Sequence, residues 1–553
     1  MSTGLEKIAE AYFKGAAKTH SPCGIDLKHV YKPEDTKDLN YEKDLGDPGH
    51  YPFTRGVYED MYRGRLFSMR LITGCPTPKL TNDRFRLLLA EGESAINIIG
   101  DAPTMIGIDP DHPRAEGGVG LTGVPIARYK DMDTILDGLP VDQISTMLSL
   151  GTPIALPSYL CVAEDRNIPF SSLRGTNPLM GPGLYAPVCN YAGKEWYEAL
   201  LLGPEAFFDT LKWCETNAPK FNPTNFNCYN IREQGVNAAQ EIAYVLAQCF
   251  ETLNKAEELG ADKELVARKF SFTANGQINI FEEVAKFRAA RRIFAQTLRD
   301  RFKIQNPKSL RMKIHVNTGG SLMEHPQAKI NIIRGAYAAL AAVLGGIQSL
   351  QIASYDEPIA IPTDEAATMA LRTEQILAHE TGVTSVVDPL AGSYYVETLT
   401  NKMELEIRKI IEEIESQGGL TKVIRTGWLD QQMEREFLRR QQEMETRERI
   451  VVGVNDYVVP SEEDDMVPNY EVDRVAVNAY VNEIREFKKS RDMKPLKESL
   501  ETLRNLLAEG KKTPIPYIMK ALRAGATTGE VMGMYRMAHG YLYDPWDEVP
   551  CPF

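Results

Sequence analysis

Apolar positions follow two alternating rhythms between residues 95 and 419. Short runs with period two or unbroken apolar character occur at residues 95–100, 143–150, weakly near Leu173, then at 224–230, 270–275, 311–317, 349–354 and 385–388. Such runs predict strands, and the longer stretches between them, apolar at spacings of three and four, predict helices. The clearest helices are 237–259, 280–302, 329–344 and 364–380, with Gly260 and Gly345 as stop signals. About eight strand–helix units in series predict an α/β chain folded as a (β/α)8 TIM barrel. Residues 1–90, a short helix and then Pro- and Gly-punctuated chain, predict an extended N-terminal arm, so the barrel is expected over 91–420. Residues 421–553 turn long, charged and helical, with helices expected at 429–450, 472–490, 494–509 and 516–539.

The predicted strands carry a second signal. One alternating face holds Ser145, Met147 and Ser149, then Asn225, Asn227 and Tyr229, then Ser271 and Thr273, then Lys313, His315 and Asn317, and finally Ser349 and Gln351. Branched apolar side chains normally fill a barrel interior. This many inward polar groups need partners, which predicts a bore occupied by a polar ligand.

Composition narrows the class. Hydrophobic content of 43% and charged content of 25% suit a soluble protein, and no apolar run is long enough to span a bilayer. The N-terminus lacks the apolar core of a secretory signal, so the expected location is cytoplasmic with no membrane partner. The eight cysteines form no Cys-x-x-Cys pair, which predicts free thiols and no metal site. A formal charge of -13 argues against a nucleic-acid partner while leaving room for an anionic small ligand on a local basic patch.

Two stretches suggest where such a ligand sits. Residues 101–126 are rich in glycine, including Gly117, Gly118, Gly120 and Gly123, and are stiffened by Pro103, Pro110 and Pro113. That pattern predicts a lid lying against a flat or bulky group. Its Gly-x-Gly-x-x-Gly spelling is no dinucleotide fingerprint, because a Pro-rich loop precedes it and Val124-Pro125 follows. Upstream, residues 58–70 gather Tyr58, Met61, Arg65, Ser68 and Arg70, a cationic cluster with an aromatic and a thioether.

These stretches, with Tyr51-Pro52-Phe53-Thr54-Arg55-Gly56 before them and Ser354-Tyr355-Asp356-Glu357 after, resemble the coenzyme B12-dependent acyl-CoA mutases, the methylmalonyl-CoA mutase family. The likeness runs from residue 51 to residue 531 with the motifs in the family's order. It implies a radical 1,2-rearrangement of an acyl-CoA carbon skeleton, with adenosylcobalamin as cofactor. It also implies that coenzyme A is gripped by Tyr58, Met61, Arg65 and Arg70, and that its pantetheine arm runs along the bore. The acyl-CoA contacts expected on these grounds are those four with Ser68, Asn97, Ile99, Gly100, Ser145, Ser149, Pro178, Asn225, Asn227, Lys269, Ser271, Lys313, His315 and Asn317. The loop residues Gly117, Gly118, Gly120, Thr122 and Gly123 are expected against the corrin or adenosyl group, and Glu357 against the adenosyl ribose.

The family's cobalt-ligating signature, Asp-x-His-x-x-Gly, is missing: no histidine here has an aspartate two residues before it. The resemblance therefore implies a large, substrate-binding subunit working in a hetero-oligomer with a small B12-binding subunit. Departures from the family concentrate at the reacting end. Its catalytic tyrosine falls at Ile72, its histidine near the thioester carbonyl at Asn230, its glutamine at Pro178, and its carboxylate-binding arginine near Val188. Asn230 keeps an amide donor but no tunable proton. Losing polar anchors predicts a more apolar pocket, roomier beside Gly100, and disfavours methylmalonyl-CoA unless Arg174 or Arg232 restores a cation. Expected substrates are a bulky or aryl-substituted acyl-CoA of the benzylmalonyl-CoA type or, alternatively, a 2-hydroxyisobutyryl-CoA or isobutyryl-CoA type. A reading from another class is a non-catalytic acyl-CoA-binding homologue or assembly partner.

Overall fold

The computed structural model describes residues 19–177, 202–460, 464 and 470–553. Its strands are β1 (Ser68–Met69), β2 (Ile72–Thr73), β3 (Ala95–Ile99), β4 (Ser145–Ser149) and β5 (Arg174–Thr176), then β6 (Phe221–Asn222), β7 (Phe226–Asn227), β8 (Phe272–Gly276), β9 (Ile314–Thr318) and β10 (Ser349–Gln351). They form two five-stranded sheets, β2-β3-β4-β5-β6 and β1-β10-β9-β8-β7, with every pairing parallel.

The two sheets meet at two split strands. In residues 68–73, the Arg70 N–H donates to the Leu350 carbonyl while the Met69 carbonyl accepts from Ser94. One residue on, the Leu71 N–H turns to the Glu93 carboxylate at 2.7 Å, and the strand continues beside β3. In residues 221–227, Pro223 has no N–H to give a ladder, so β6 pairs with β5 and β7 with β8. Counting each split pair once leaves eight strands in the order of a (β/α)8 barrel, as the periodicity predicts.

Apolar residues on one strand face, such as Ile96, Ile98, Leu148, Val316 and Leu350, pack beneath the outer helices in one continuous core. The helices fall close to expectation: Ala238–Glu258, Ile280–Asp300, Asn331–Leu344 and Asp364–His379. The first is closed by a capping box between Asn237 and Gln240. A further helix, Tyr394–Ser416, buries Val396, Leu399, Met403, Ile407, Ile411 and Ile414, a helical stripe that packs on Ala238–Glu258 and Ile280–Asp300.

Four expectations need correcting. Residues 385–388 form no strand; the Val-Val pair lies in a turn whose Asp388 has φ +50 and binds Arg288 and Arg55. The missing eighth strand is instead 68–73, which Arg70 disguises as a solvated turn. The strand expected over 224–230 stops at Asn227, and Tyr229–Glu233 is a short helix. The last expected helix is two, Ile515–Arg523 and Thr528–Ala538, separated at Gly525, whose φ of +95 a helix cannot continue through.

The described part of the arm is held by two arginines of Ile280–Asp300 with almost no solvent access, Arg291 and Arg292. Arg291 donates to the carbonyls of Phe53 (3.0 Å) and Thr54 (2.8 Å), and Arg292 to that of Asp44 (3.1 Å). The C-terminal helices clamp the glycine-rich loop. Lys488 bridges Asp109 and Asp111 at 2.9 and 2.6 Å, and Val477 packs on Ile108, Ala115 and Val119. No described helix is long and apolar enough to cross a membrane.

Candidate functional site

A cavity of about 490 Å3 opens at the amino-terminal ends of the strands. Its walls include Ser68, Ser145, Arg174 and Ser349, the first residues of β1, β4, β5 and β10, with Ser271 and Lys313 immediately before β8 and β9. Barrel enzymes usually work at the opposite end, where the strands' carboxyl termini lie. Tyr58, Met61, Arg65, Arg70, Asn225 and His315 also line the cavity. Ten of the residues expected to contact acyl-CoA thus converge on one space.

The polar faces point inward, as their period predicts. Arg70 reaches across to the Ser145 hydroxyl at 2.7 Å, Asn225 donates to Ser271 at 3.2 Å, and His315 Nδ1 lies 2.9 Å from the Ser349 hydroxyl. Farther along, Ser149 donates to Asn97 at 2.8 Å. Yet Arg70 Nε, Asn225 Oδ1, His315 Nε2 and Asn317 Oδ1 are buried without a hydrogen-bond partner among the described residues. Four such orphans in one bore are costly unless a ligand completes them. Lys269 is not brought to this wall: its ammonium binds the Pro219 carbonyl and Glu215, each at 2.8 Å.

Burial, then the Arg70 charge, pushes the His315 imidazole down to about 3. It is therefore neutral at physiological pH, suited to exchange hydrogen bonds with an amide rather than to carry charge. Because its folded value lies below the unfolded one, His315 destabilises the fold only as pH falls through the unfolded value of about 6.5. Histidine-selective NMR is expected to show no titration of this ring between about pH 5 and pH 8; a midpoint near 6.5 would contradict the buried placement.

At the other end, Ile72 and Ile99 are half-buried and face Asn97 and Ser149 in register. Gly100 bridges to Val124, and the glycine loop packs directly on it: a Cβ at Gly123 would lie 2.4 Å from the Gly100 carbonyl oxygen. The extra room expected at Gly100 is limited, since a Cβ there would meet Thr104 at 3.2 Å and Leu150 at 3.5 Å. In the loop, Gly120 takes φ +70 against Pro76 and donates to the Asp101 carboxylate at 2.9 Å; the Thr122 hydroxyl accepts from Ala102 at 3.0 Å. Gly117, Leu121 and Thr122 stay exposed, while Gly118 is half-buried.

Glu357 follows β10 in a recess shared with Tyr229 and Glu233. The surrounding protein, then Asp356 and Glu233, pushes its carboxyl up to about 7, although the side chain keeps solvent access. Glu233, which sequence reasoning missed, accepts from Asn275 (2.5 Å) and from the Ser321 hydroxyl (3.0 Å) and N–H (2.7 Å). Its only sequence signal is a place one helical turn after Asn230. Asn230 stands on the same short helix, its N–H 3.4 Å from Asn227 Oδ1. Neither arginine raised as a carboxylate anchor serves this end: Arg232 is buried against Glu241, Glu283 and the Val236 carbonyl, and Arg174 lines the opposite cavity. Pro178 and Val188 lie outside the described residues.

The sequence pattern of the family described as methylmalonyl-CoA mutase matches residues 20–541. The chain is similar to the 2-hydroxyisobutanoyl-CoA mutase large subunit of Aquincola tertiaricarbonis, 35% identical over 93% of this chain and 90% of that one. It is equally similar, at 35%, to methylmalonyl-CoA mutase of Rhizobium meliloti (strain 1021), over 94% of this chain and 72% of that one. The human mitochondrial methylmalonyl-CoA mutase is 31% identical over 94% of this chain and 68% of its own length. With an inward polar bore, orphaned groups along it and this extent of likeness, the chain belongs to the methylmalonyl-CoA mutase family of B12-dependent acyl-CoA mutases, which are isomerases.

Proposed function

We propose that this chain is the large subunit of an adenosylcobalamin-dependent mutase acting on an acyl-CoA with a bulky or aryl-substituted, largely apolar acyl group. The observation that carries the reading is the line of orphaned polar groups leading from a cationic cavity to Ile72 and Ile99. Arg65, Lys313 and Arg70 suit the phosphates of coenzyme A, and the serine, asparagine and histidine groups suit the two amides of its pantetheine arm. Asn230 would donate to the thioester carbonyl. The apolar pair Ile72 and Ile99, with no free cation beside them among the described residues, disfavours a buried substrate carboxylate.

The residues fit the contacting face of the cofactor and not its ligation. Gly117 is open to solvent above the packed loop, and Glu357 is exposed; among the described residues no three His, Cys, Asp or Glu side chains gather as a metal site. A separate small subunit carrying Asp-x-His-x-x-Gly would supply the ligand and make the assembly a hetero-oligomer. When bound, the cofactor supplies the radical that takes hydrogen from the substrate. The chain's part is to align the acyl group, hold the ribose side at Glu357 and exclude water beneath the glycine loop.

A second reading, a 2-hydroxyisobutanoyl-CoA type substrate, is favoured by the relative of that name and by Ile72. Against it, Ile99 offers no acceptor for a hydroxyl, and the adjacent Ser149 is bound to Asn97. The test adds this chain, a cobalamin-binding small subunit and adenosylcobalamin to a panel of acyl-CoAs, following isomers by mass spectrometry and cob(II)alamin by absorbance. Turnover of a bulky acyl-CoA without methylmalonyl-CoA turnover is expected; hydroxyacyl turnover would select the second reading. Tight acyl-CoA binding with neither isomer nor cob(II)alamin would identify a non-catalytic homologue.

A further inference from the structure

Lys313 stands one residue before β9 with its side chain on the cavity wall. Its one hydrogen bond within the described residues is a long one, 3.5 Å to the Arg268 carbonyl. Among the described residues no carboxylate pairs with it; Glu215, an acid on this side, is bound to Arg268 at 2.7 Å and Lys269 at 2.8 Å. Cations surround it: Lys269 and Arg268 from the segment before β8, Arg311 from its own segment before β9, and Arg65, Arg70 and Lys220 across the cavity. His315, two residues on, is neutral. Burial and then Lys269, Arg311 and Arg268 push the Lys313 ammonium down to about 8. A desolvated lysine beside other cations is a familiar way to make a nucleophilic amine.

The proposed function adds a supply of electrophile, and the inference rests on it. An acyl-CoA that enters at the amino-terminal cavity and reacts near Ile72 and Ile99 carries its thioester past the Lys313 amine. We propose that Lys313 is an acyl-acceptor site, taking acyl groups from acyl-CoA thioesters in the cavity and becoming N-acylated. The amine nitrogen forms a C–N bond to the thioester carbonyl and the C–S bond breaks. Coenzyme A leaves as thiolate, and the proton lost from nitrogen goes to water. The product is a neutral amide where a cation had faced the phosphates, so acylation weakens coenzyme A binding and limits the subunit when thioesters accumulate.

At pH 8 about half of such lysines are unprotonated, against under about one per cent of ordinary ones. The experiment incubates the full chain at that pH with acetyl-CoA and maps acetylation by peptide mass spectrometry, while titration calorimetry follows coenzyme A binding. Lys313 is expected to acetylate at least about tenfold faster than the median exposed lysine, with coenzyme A affinity falling in step. In K313R that time-dependent fall must vanish relative to the variant's own starting value. Acetylation of Lys313 no faster than exposed lysines, with coenzyme A still bound, overturns the proposal and spares the functional reading. Absence of coenzyme A binding in the untreated chain overturns both.

Discussion

Replacing Arg288 by methionine is expected to cost about 3–5 kcal/mol of stability, the largest effect of any single substitution considered. The guanidinium has no solvent access; it binds both oxygens of Glu397, at 2.7 and 2.8 Å, and Asp388 besides. Among the described residues, removing it leaves the buried Glu397 carboxylate without a cation, holding only the Gly392 N–H at 3.0 Å, and Asp388 with only Arg55, at 3.3 Å. Urea unfolding followed by intrinsic fluorescence measures the loss. The double change R288M/E397L should recover much of it, because apolar residues often replace a buried ion pair at little cost. A midpoint shift no larger than that of the exposed control R435M would show that the pair is solvated after all.

The second large effect is expected at Glu357. E357Q should lower turnover of the assembled enzyme by about tenfold to a hundredfold, leaving acyl-CoA affinity nearly unchanged. The split follows from position: Glu357 follows β10 at its carboxyl end, whereas the cavity proposed for coenzyme A opens at the amino ends. The carboxyl titrates at about 7, so the wild-type rate should fall as pH drops through 7, and E357Q should lack that limb. The stability sign is opposite to a salt-bridged acid's. A folded value raised above the unfolded one of about 4.3 costs nothing below that pH, and the cost reaches its full size above 7. A variant with raised KM for acyl-CoA and unchanged kcat would remove Glu357 from the cofactor side.

Long amphipathic helices were legible from spacing alone; the ends of Ala238–Glu258 and Ile280–Asp300 differ from expectation by at most two residues. Strands with an apolar outer face, such as Ala95–Ile99 and Ile314–Thr318, were legible too. Residues 68–73 were not, because a strand that changes partners midway presents two short halves, and Arg70, inward and bound to Ser145, looks solvated in sequence. The error at 385–388 is the converse: β-branched residues suggested a ladder where the backbone turns to bring Asp388 to two arginines. At the site, the inward polar face was legible because period two separates it cleanly from the apolar one. Which ends of those strands surround a cavity was not, nor was the recess joining Glu233 to Glu357. Those depend on contacts between residues far apart in the chain.

The two buried arginines beneath the arm also divide the freedom to mutate unevenly. Arg291 and Arg292 hold the arm through the carbonyl oxygens of Asp44, Phe53 and Thr54, atoms that every amino acid supplies. As far as this grip is concerned, side chains along the arm are free to drift, while no other residue can stand in for either arginine. A divergent relative could therefore keep the arm seated with little trace of it in the arm's own sequence, and the surviving record of that contact would be found in the helix.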